Sequence, residues 1–184
     1  MTKQHFGTIS TERSRCGYVA LIGAPNAGKS TLLNQVVGTK IAIVTRKVQT
    51  TRTRITGILV KGDAQIIFVD TPGIFAPRSR IDRAMVGAAW RGADDADQIV
   101  VLVDAERGVT GDTDRILTQL RQSGRTAVLA LNKIDAVARP KLLDLAAEID
   151  SSKVFTDVFM ISALTGDGVG DLVNHLAALM PKGP

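Results

Sequence analysis

Apolar and polar residues alternate along the chain in blocks that predict strands followed by helices. Apolar runs suited to strands cover residues 18–22, 53–60, 64–70, 98–104, 126–131 and 154–161. Helices are predicted at residues 32–37, 81–91, 112–122, 141–149 and 169–180, several of which carry apolar residues three or four positions apart. The segment from Gly38 to Thr53 follows no single period and is predicted to be a loop.

The order of these blocks predicts an α/β fold. Strands that alternate with helices form a mostly parallel sheet with helices on both faces, so we expect three layers. Only Lys61, Gly62 and Asp63 separate the second and third strands, which is enough for a hairpin but too short for a crossover. We therefore predict a six-stranded sheet whose hairpin supplies one antiparallel edge strand.

Composition and length describe an ordinary globular domain. The chain has 184 residues, of which 45% are apolar and 22% charged, and its net charge is +5. Its one cysteine, Cys16, excludes an intrachain disulfide and indicates a reducing compartment. No apolar run approaches the roughly 18 residues that span a membrane, and residues 1–15 show no signal peptide. We expect residues 1–16 to form a flexible tail and residues 17–181 to form one domain.

The segment between the first strand and the first helix has the pattern G-x-x-x-x-G-K-[ST] of a phosphate-binding loop. Its glycines let backbone N–H groups turn inward toward an anion, and the helix N-terminus adds unpaired donors. Lys29 can reach the β- and γ-phosphates of a nucleotide, and the Ser30 hydroxyl can ligate Mg²⁺. The alternative, a glycine-rich turn with a chance lysine, is disfavoured by the flanking strand and helix. The residues predicted to bind phosphate are Gly23, Ala24, Pro25, Asn26, Ala27, Gly28, Lys29, Ser30 and Thr31.

Asp70 ends an apolar strand and begins the sequence Asp-Thr-Pro-Gly. A carboxylate at this point can hold Mg²⁺ through a water while Ser30 ligates the ion directly. Gly73 has no side chain, so its N–H can approach a γ-phosphate closely. Alone, this tetrapeptide is typical of a turn that ends a strand, but behind a phosphate-binding loop it indicates a magnesium site. The predicted ligand-binding residues here are Asp70, Thr71, Pro72 and Gly73.

The sequence Asn132-Lys133-Ile134-Asp135 follows the fifth strand and predicts recognition of guanine. The Asp135 carboxylate can accept hydrogen bonds from the ring N–H and the exocyclic amine, whereas adenine offers no such pair. A site of this kind rejects the wrong base by roughly 10⁴ to 10⁵. The Lys133 stem can lie over the base plane, and Asn132 can tie this loop to the phosphate-binding loop.

A weaker motif, Ser162-Ala163-Leu164, follows the sixth strand, and its Ala163 N–H can donate to the carbonyl oxygen of guanine. The four motifs therefore follow the first, third, fifth and sixth strands. In open α/β sheets, ligands bind at the carboxyl ends of the strands. We expect all four motifs to lie along one edge of the sheet and to form one crevice.

Together with Thr51, these motifs resemble the five signature motifs of translation-factor-class GTPases. They are closer still to those of the Era-like family of bacterial ribosome-assembly GTPases. Residues 46–52 and 54–58 resemble the first switch loop of that family, and residues 70–74 resemble its second. The resemblance covers nearly the whole chain from Tyr18 onward. It implies a three-layer P-loop NTPase fold that binds GTP and GDP with Mg²⁺ and hydrolyses GTP slowly to GDP and phosphate.

The resemblance also implies roles for individual residues. Thr51 would join Mg²⁺ and the γ-phosphate in the GTP state, and Thr50 beside it competes for that role. Lys29, Thr51 and Gly73 are the predicted catalytic residues, with water as the nucleophile. Ile74 stands where related GTPases carry a glutamine that orients the attacking water, so hydrolysis should be slow or depend on another group.

The same resemblance also implies metal ligands. The predicted Mg²⁺ ligands are Ser30, Thr51 and Asp70. Asn26 resembles an asparagine that some relatives use to hold K⁺ against the phosphates. Such an ion could replace an arginine finger, which is worth about 10³- to 10⁵-fold in rate. The alternative is that Asn26 only stabilises the loop.

For the cellular role, the resemblance implies 16S rRNA and the small ribosomal subunit as partners. They would be bound through a C-terminal KH domain that this chain does not contain. It also implies a monomer in the bacterial cytoplasm, with peripheral association at the inner membrane as a further expectation. A related GTPase of the Era or TrmE type with a different RNA partner is the alternative.

Three other functions compete with a slow GTPase. A module that senses nucleotide with negligible turnover is supported by Ile74, whereas an ATPase of the same fold is disfavoured by Asp135. The third function, nucleic-acid binding, is supported only by a basic segment that contains no acidic residue. The positive charges of this segment could equally serve solubility or bind a triphosphate. Its five positive residues, which equal the net charge of +5, are Lys40, Arg46, Lys47, Arg52 and Arg54.

Overall fold

The computed structural model describes residues 14–38, 55–70 and 96–183. Within these ranges the strands are β1 (Arg15–Gly23), β2 (Ile55–Lys61), β3 (Ala64–Asp70), β4 (Gln98–Asp104), β5 (Ala127–Asn132) and β6 (Phe155–Ile161). The helices are α1 (Lys29–Val37), α2 (Gly111–Ser123), α3 (Arg139–Asp150) and α4 (Val169–Leu179), and a short 3₁₀ helix covers Ile134–Ala136. The elements predicted for these ranges are present. The helix predicted at residues 81–91 lies outside the described residues, as does most of the loop predicted after α1.

The six strands form one sheet in the order β2-β3-β1-β4-β5-β6. β1 pairs in parallel with β3 and β4, β4 with β5, and β5 with β6, whereas β2 pairs antiparallel with β3. The predicted parallel sheet with one antiparallel edge strand is therefore confirmed. All parallel strands end at the same edge, so the residues that follow β1, β3, β5 and β6 lie along it.

Two apolar clusters cover the two faces of the sheet. Successive residues of β4 alternate between them, because Val101 and Val103 belong to one cluster and Val100 and Leu102 to the other. Burial of each such side chain contributes roughly 1.5–3 kcal/mol. The main helix residues are Ile116, Leu120, Leu142, Leu145 and Ile149 in the first cluster, and Leu32, Val36, Leu172, Val173 and Leu176 in the second. Helices α2 and α3 thus pack on one face and α1 and α4 on the other, which confirms three layers.

β1 begins at Arg15, inside the segment that we expected to be a tail. The Arg15 guanidinium donates to the Met180 carbonyl oxygen at 2.8 Å, and the Cys16 N–H donates to the Pro181 carbonyl oxygen at 3.0 Å. The segment after α4 therefore helps to fix the start of the first strand, together with the pairing of Arg15 and Cys16 with β3. The polar sequence around Arg15 gives no sign of this long-range contact. The rest of the predicted tail, residues 1–13, lies outside the described residues.

Candidate functional site

The loop between β1 and α1 holds two residues in the left-handed region. Asn26 has a φ of 64°, and Gly28 has a φ of 103°. A Cβ atom at Gly28 would overlap the side-chain nitrogen of Asn132, and one at Gly23 would lie 2.7 Å from the Leu102 carbonyl oxygen. The curl of the loop therefore depends on glycine at both positions, because a side chain would push the loop away from β4 and from the loop after β5.

Helix α1 starts at the end of this loop without a side-chain cap. Its N-cap residue is Gly28, which has no side chain that could accept a hydrogen bond, and its first turn contains no acidic residue. Helix α2 differs, because Thr110 Oγ1 accepts from the Thr113 N–H at 3.3 Å and two acids lie in its first turn. No acidic residue or capping side chain within α1 compensates the positive end of its dipole. The N-terminus of α1 is therefore suited to bind an anion from outside the helix.

Lys29 is the first residue of α1, and its side chain folds back over the loop. Its Nζ donates to the carbonyl oxygens of Gly23 at 2.8 Å and Ala24 at 3.1 Å. The ammonium charge is therefore held at the loop and adds to the field of the helix N-terminus. Of the other predicted phosphate-binding residues, Ala27 is buried, whereas Pro25, Asn26, Ser30 and Thr31 are exposed.

Asn132, the last residue of β5, connects this loop to the loop after β6. Its Nδ2 donates to the Ala27 carbonyl oxygen at 2.8 Å, and its Oδ1 accepts from the Ala163 N–H at 2.9 Å. Asn132 is only 2% exposed, so both bonds satisfy buried polar groups. The predicted tie between Asn132 and the phosphate-binding loop is confirmed, and the same side chain brings the third loop to the site.

The contact with Asn132 changes our expectation for Ala163. We expected the Ala163 N–H to face the guanine carbonyl oxygen, but it donates to Asn132, because the buried amide oxygen needs a donor. Ser162 also turns into its own loop, where its Oγ accepts from the Thr165 N–H at 3.1 Å. Ser162 and Ala163 therefore shape this loop from within, whereas Leu164 is 74% exposed.

Lys133 and Asp135 lie at the start of the 3₁₀ helix. Lys133 is its N-cap residue, with a φ of 69°, and its carbonyl oxygen accepts from the Ala136 N–H at 3.0 Å. This tight turn leaves Asp135 exposed. An ionised carboxylate offers only acceptor sites, so Asp135 can receive two donors from the edge of a base.

Sequence reasoning missed Asp104, which ends β4 between the phosphate-binding loop and the loops on the base side. Its Oδ2 pairs with Lys133 Nζ at 2.5 Å. Its Oδ1 accepts from the N–H groups of Glu106 and Arg107, at 3.0 and 3.4 Å. A signal was available, because β4 is an apolar strand that ends in aspartate at the same sheet edge as Asp70 does.

The predicted magnesium ligands are only partly described. The Asp70 backbone ends β3 and is in register with Leu21 of β1, so Asp70 ends the strand beside the one that leads to Ser30. Hydroxyl and carboxylate oxygens suit Mg²⁺, so the residue types fit the ion. Elsewhere in the described ranges, no group of three or more His, Cys, Asp or Glu side chains could hold a metal. Other predicted residues lie outside the described ranges, namely Thr50, Thr51, Thr71, Pro72, Gly73 and Ile74.

None of the helices in the described ranges is both long enough and apolar enough to cross a bilayer.

Comparison with known proteins identifies relatives of the same type. Residues 18–133 match the model of the 50S ribosome-binding GTPase family. GTPase Era of Afipia carboxidovorans is 57% identical over 171 residues, which cover 93% of this chain and 56% of that protein. GTPase Era of Rhizobium meliloti is 56% identical over 171 residues, covering 93% of this chain and 55% of that protein. The chain thus spans about half the length of these curated relatives.

A solved structure gives the same assignment. Era in complex with MgGDPNP and nucleotides 1506–1542 of 16S ribosomal RNA superposes with a TM-score of 0.78 at 36% identity. The match covers 93% of this chain and 59% of that one. The expected fold and resemblance are therefore confirmed, and this chain belongs to the 50S ribosome-binding GTPase family and is similar to GTPase Era.

Proposed function

We propose that this chain binds GTP and GDP and hydrolyses GTP slowly to GDP and phosphate. The observation that carries the proposal is the position of Asn132, whose amide bonds both the phosphate-binding loop and the loop after β6. One buried side chain therefore holds together the phosphate-binding loop and the loop on the base side of the proposed site. The proposal is supported by the solved Era complexes, one of which contains GDP and aluminium fluoride and the other MgGDPNP.

The phosphates would lie in the curl before α1. Lys29 and the uncapped N-terminus of α1 supply positive charge there, so they would bind the β- and γ-phosphates and stabilise charge on the transferring group. Ser30, Asp70 and Thr51 would hold Mg²⁺, which when bound neutralises phosphate charge. Gly73 would offer its N–H to the γ-phosphate. Water is the nucleophile in this proposal.

The base would be recognised at the other end of the crevice. Asp135 would accept two hydrogen bonds from the guanine edge, and the Lys133 stem would cover one face of the ring. Because the Ala163 N–H already donates to Asn132, the guanine carbonyl oxygen would have to share that donor or use another in the same loop. The exposed Leu164 side chain could cover apolar ring surface.

Potassium is a further part of the proposal. Asn26 is exposed, and its left-handed backbone turns the loop just ahead of Gly28. Its amide oxygen could hold K⁺ beside the phosphates, which would offset the missing glutamine at Ile74.

In the cell, we propose a nucleotide-controlled switch in assembly of the small ribosomal subunit. This role is supported by similarity to Era, one structure of which contains a 16S rRNA segment. Because this chain spans about half of such relatives, RNA contact through a KH domain stays a prediction. A monomer in the bacterial cytoplasm, with peripheral contact at the inner membrane, is proposed on the same basis.

A nucleotide sensor with negligible turnover is the second candidate, because Ile74 cannot orient water. Single-turnover phosphate release after mixing the chain with GTP and Mg²⁺ separates the two functions. Release of one phosphate per bound GTP supports the GTPase. Tight GTP binding without release would identify the sensor, and no GTP binding would contradict both.

A further inference from the structure

Asp104 is a buried acid whose partner belongs to the predicted base site. Its side chain is 8% exposed, and its Oδ2 lies 2.5 Å from the Lys133 ammonium nitrogen. Asp104 is in register with Asn132, the residue before Lys133, and the Ala105 N–H donates to the Asn132 carbonyl oxygen at 2.9 Å. The ends of β4 and β5 are therefore joined by backbone and side-chain contacts at the point where the base would bind.

The other carboxylate oxygen fixes Asp104 itself. Its Oδ1 accepts from the N–H groups of Glu106 and Arg107, at 3.0 and 3.4 Å, in the turn after β4. A carboxylate with one oxygen bound by backbone donors has little freedom to rotate. It therefore presents Oδ2 to Lys133 from a fixed direction, whereas Arg107 approaches Oδ2 only to 3.9 Å through a mostly exposed side chain.

We propose that Asp104 is a positioning residue for the nucleotide base. By holding the Lys133 ammonium, it keeps the methylene stem of that lysine extended across the face of the guanine ring. Immobilising such a side chain on binding costs about 0.5–1.5 kcal/mol, and Asp104 removes that cost in advance. This inference rests on the proposed function, because it needs guanine nucleotide at the site.

The isosteric variant Asp104→Asn isolates the contact. Asparagine keeps an oxygen for the Glu106 and Arg107 N–H groups but turns an NH₂ group toward the Lys133 ammonium. The cost given above converts to a GDP affinity that is roughly 2- to 13-fold weaker. Arg107→Gln is the matched control, because it alters only the longer contact to the same oxygen, and it should leave GDP affinity nearly unchanged because an ion pair of an exposed side chain is worth little.

A second background distinguishes positioning from a structural role. Lys133→Met keeps an apolar stem but leaves the buried Asp104 carboxylate without its ammonium. Adding Asp104→Asn to Lys133→Met should therefore not weaken GDP binding further, and should raise the urea midpoint that Lys133→Met lowers. If Asp104 served only the turn after β4, the same loss would appear in both backgrounds.

Affinities would be measured by fluorescence titration of the whole chain with a labelled GDP and Mg²⁺, beside urea unfolding of each variant. Weakening by Asp104→Asn in the Lys133 background alone supports the inference. Equal weakening in both backgrounds, no weakening in either, or unfolding of every Asp104→Asn variant overturns it while the proposed function stands. If the unmodified chain binds no GDP, both are overturned.

Discussion

Replacing Gly28 by alanine tests the contact that joins the two ends of the site. Gly28 has a φ of 103°, and a Cβ atom there would overlap Asn132 Nδ2. A left-handed conformation costs a residue other than glycine about 1–2 kcal/mol. Displacing Asn132 would also leave the Ala27 carbonyl oxygen without its buried donor, which costs about 1–3 kcal/mol more. We expect Gly28→Ala to lower the free energy of unfolding by about 2–5 kcal/mol as the sum of these two terms.

Two other glycines provide matched controls. Gly62 and Gly124 also have positive φ, of 58° and 66°, but no atom lies within 4 Å of a Cβ built at either position. Gly62→Ala and Gly124→Ala should therefore show only the backbone cost of about 1–2 kcal/mol. The further loss in the free energy of unfolding of Gly28→Ala, relative to the two controls, measures the cost of displacing Asn132.

Urea unfolding followed by far-ultraviolet circular dichroism gives the three free energies, and titration with GDP gives the affinities. Gly28→Ala should also weaken GDP binding, whereas the two controls should leave it unchanged because they lie away from the site. The reasoning would be refuted if Gly28→Ala were no less stable than the controls, or if it bound GDP as tightly as the unmodified chain.

Three further predictions concern the proposed ligands. Asp135→Asn should weaken GDP binding about 100-fold, because charge-assisted hydrogen bonds to the base are lost, and should shift the preference toward xanthosine diphosphate. Competition titration checks this, and an unchanged preference for GDP would contradict it. Lys29→Ala should weaken GTP binding about 10- to 100-fold, measured by calorimetry, and equal affinity would remove Lys29 from the phosphate site. GTP hydrolysis should be faster in K⁺ than in Na⁺ at matched ionic strength, and Asn26→Ala should abolish the difference. Equal rates in the two salts would exclude the potassium site.

Local patterns predicted the sheet because each strand and helix carries its own periodicity. The apolar run of β4 and the short turn at Gly62 were sufficient to assign a buried strand and a hairpin. The tie from Asn132 to the phosphate-binding loop could also be predicted, because it joins two recognisable motifs.

Contacts between segments without motifs could not be predicted in this way. Arg15 extends β1 because it pairs with Ala64 of β3 and because the residues after α4 bind its side chain, and neither contact has a distinctive sequence pattern. The bond from Ala163 to Asn132 was missed because hydrogen-bond partners depend on side-chain direction, which sequence spacing does not give. Asp104 was missed for a different reason, since an aspartate at a strand end is common and its partner, Lys133, had already been assigned to the base.

Calorimetric titration of the chain with GDP and Mg²⁺, with ADP as the comparison, tests the central claim most directly. The account predicts heat of binding with one GDP per chain and binding of ADP that is weaker by roughly 10⁴-fold or more. Absence of heat with GDP, or equal affinity for ADP, would contradict it.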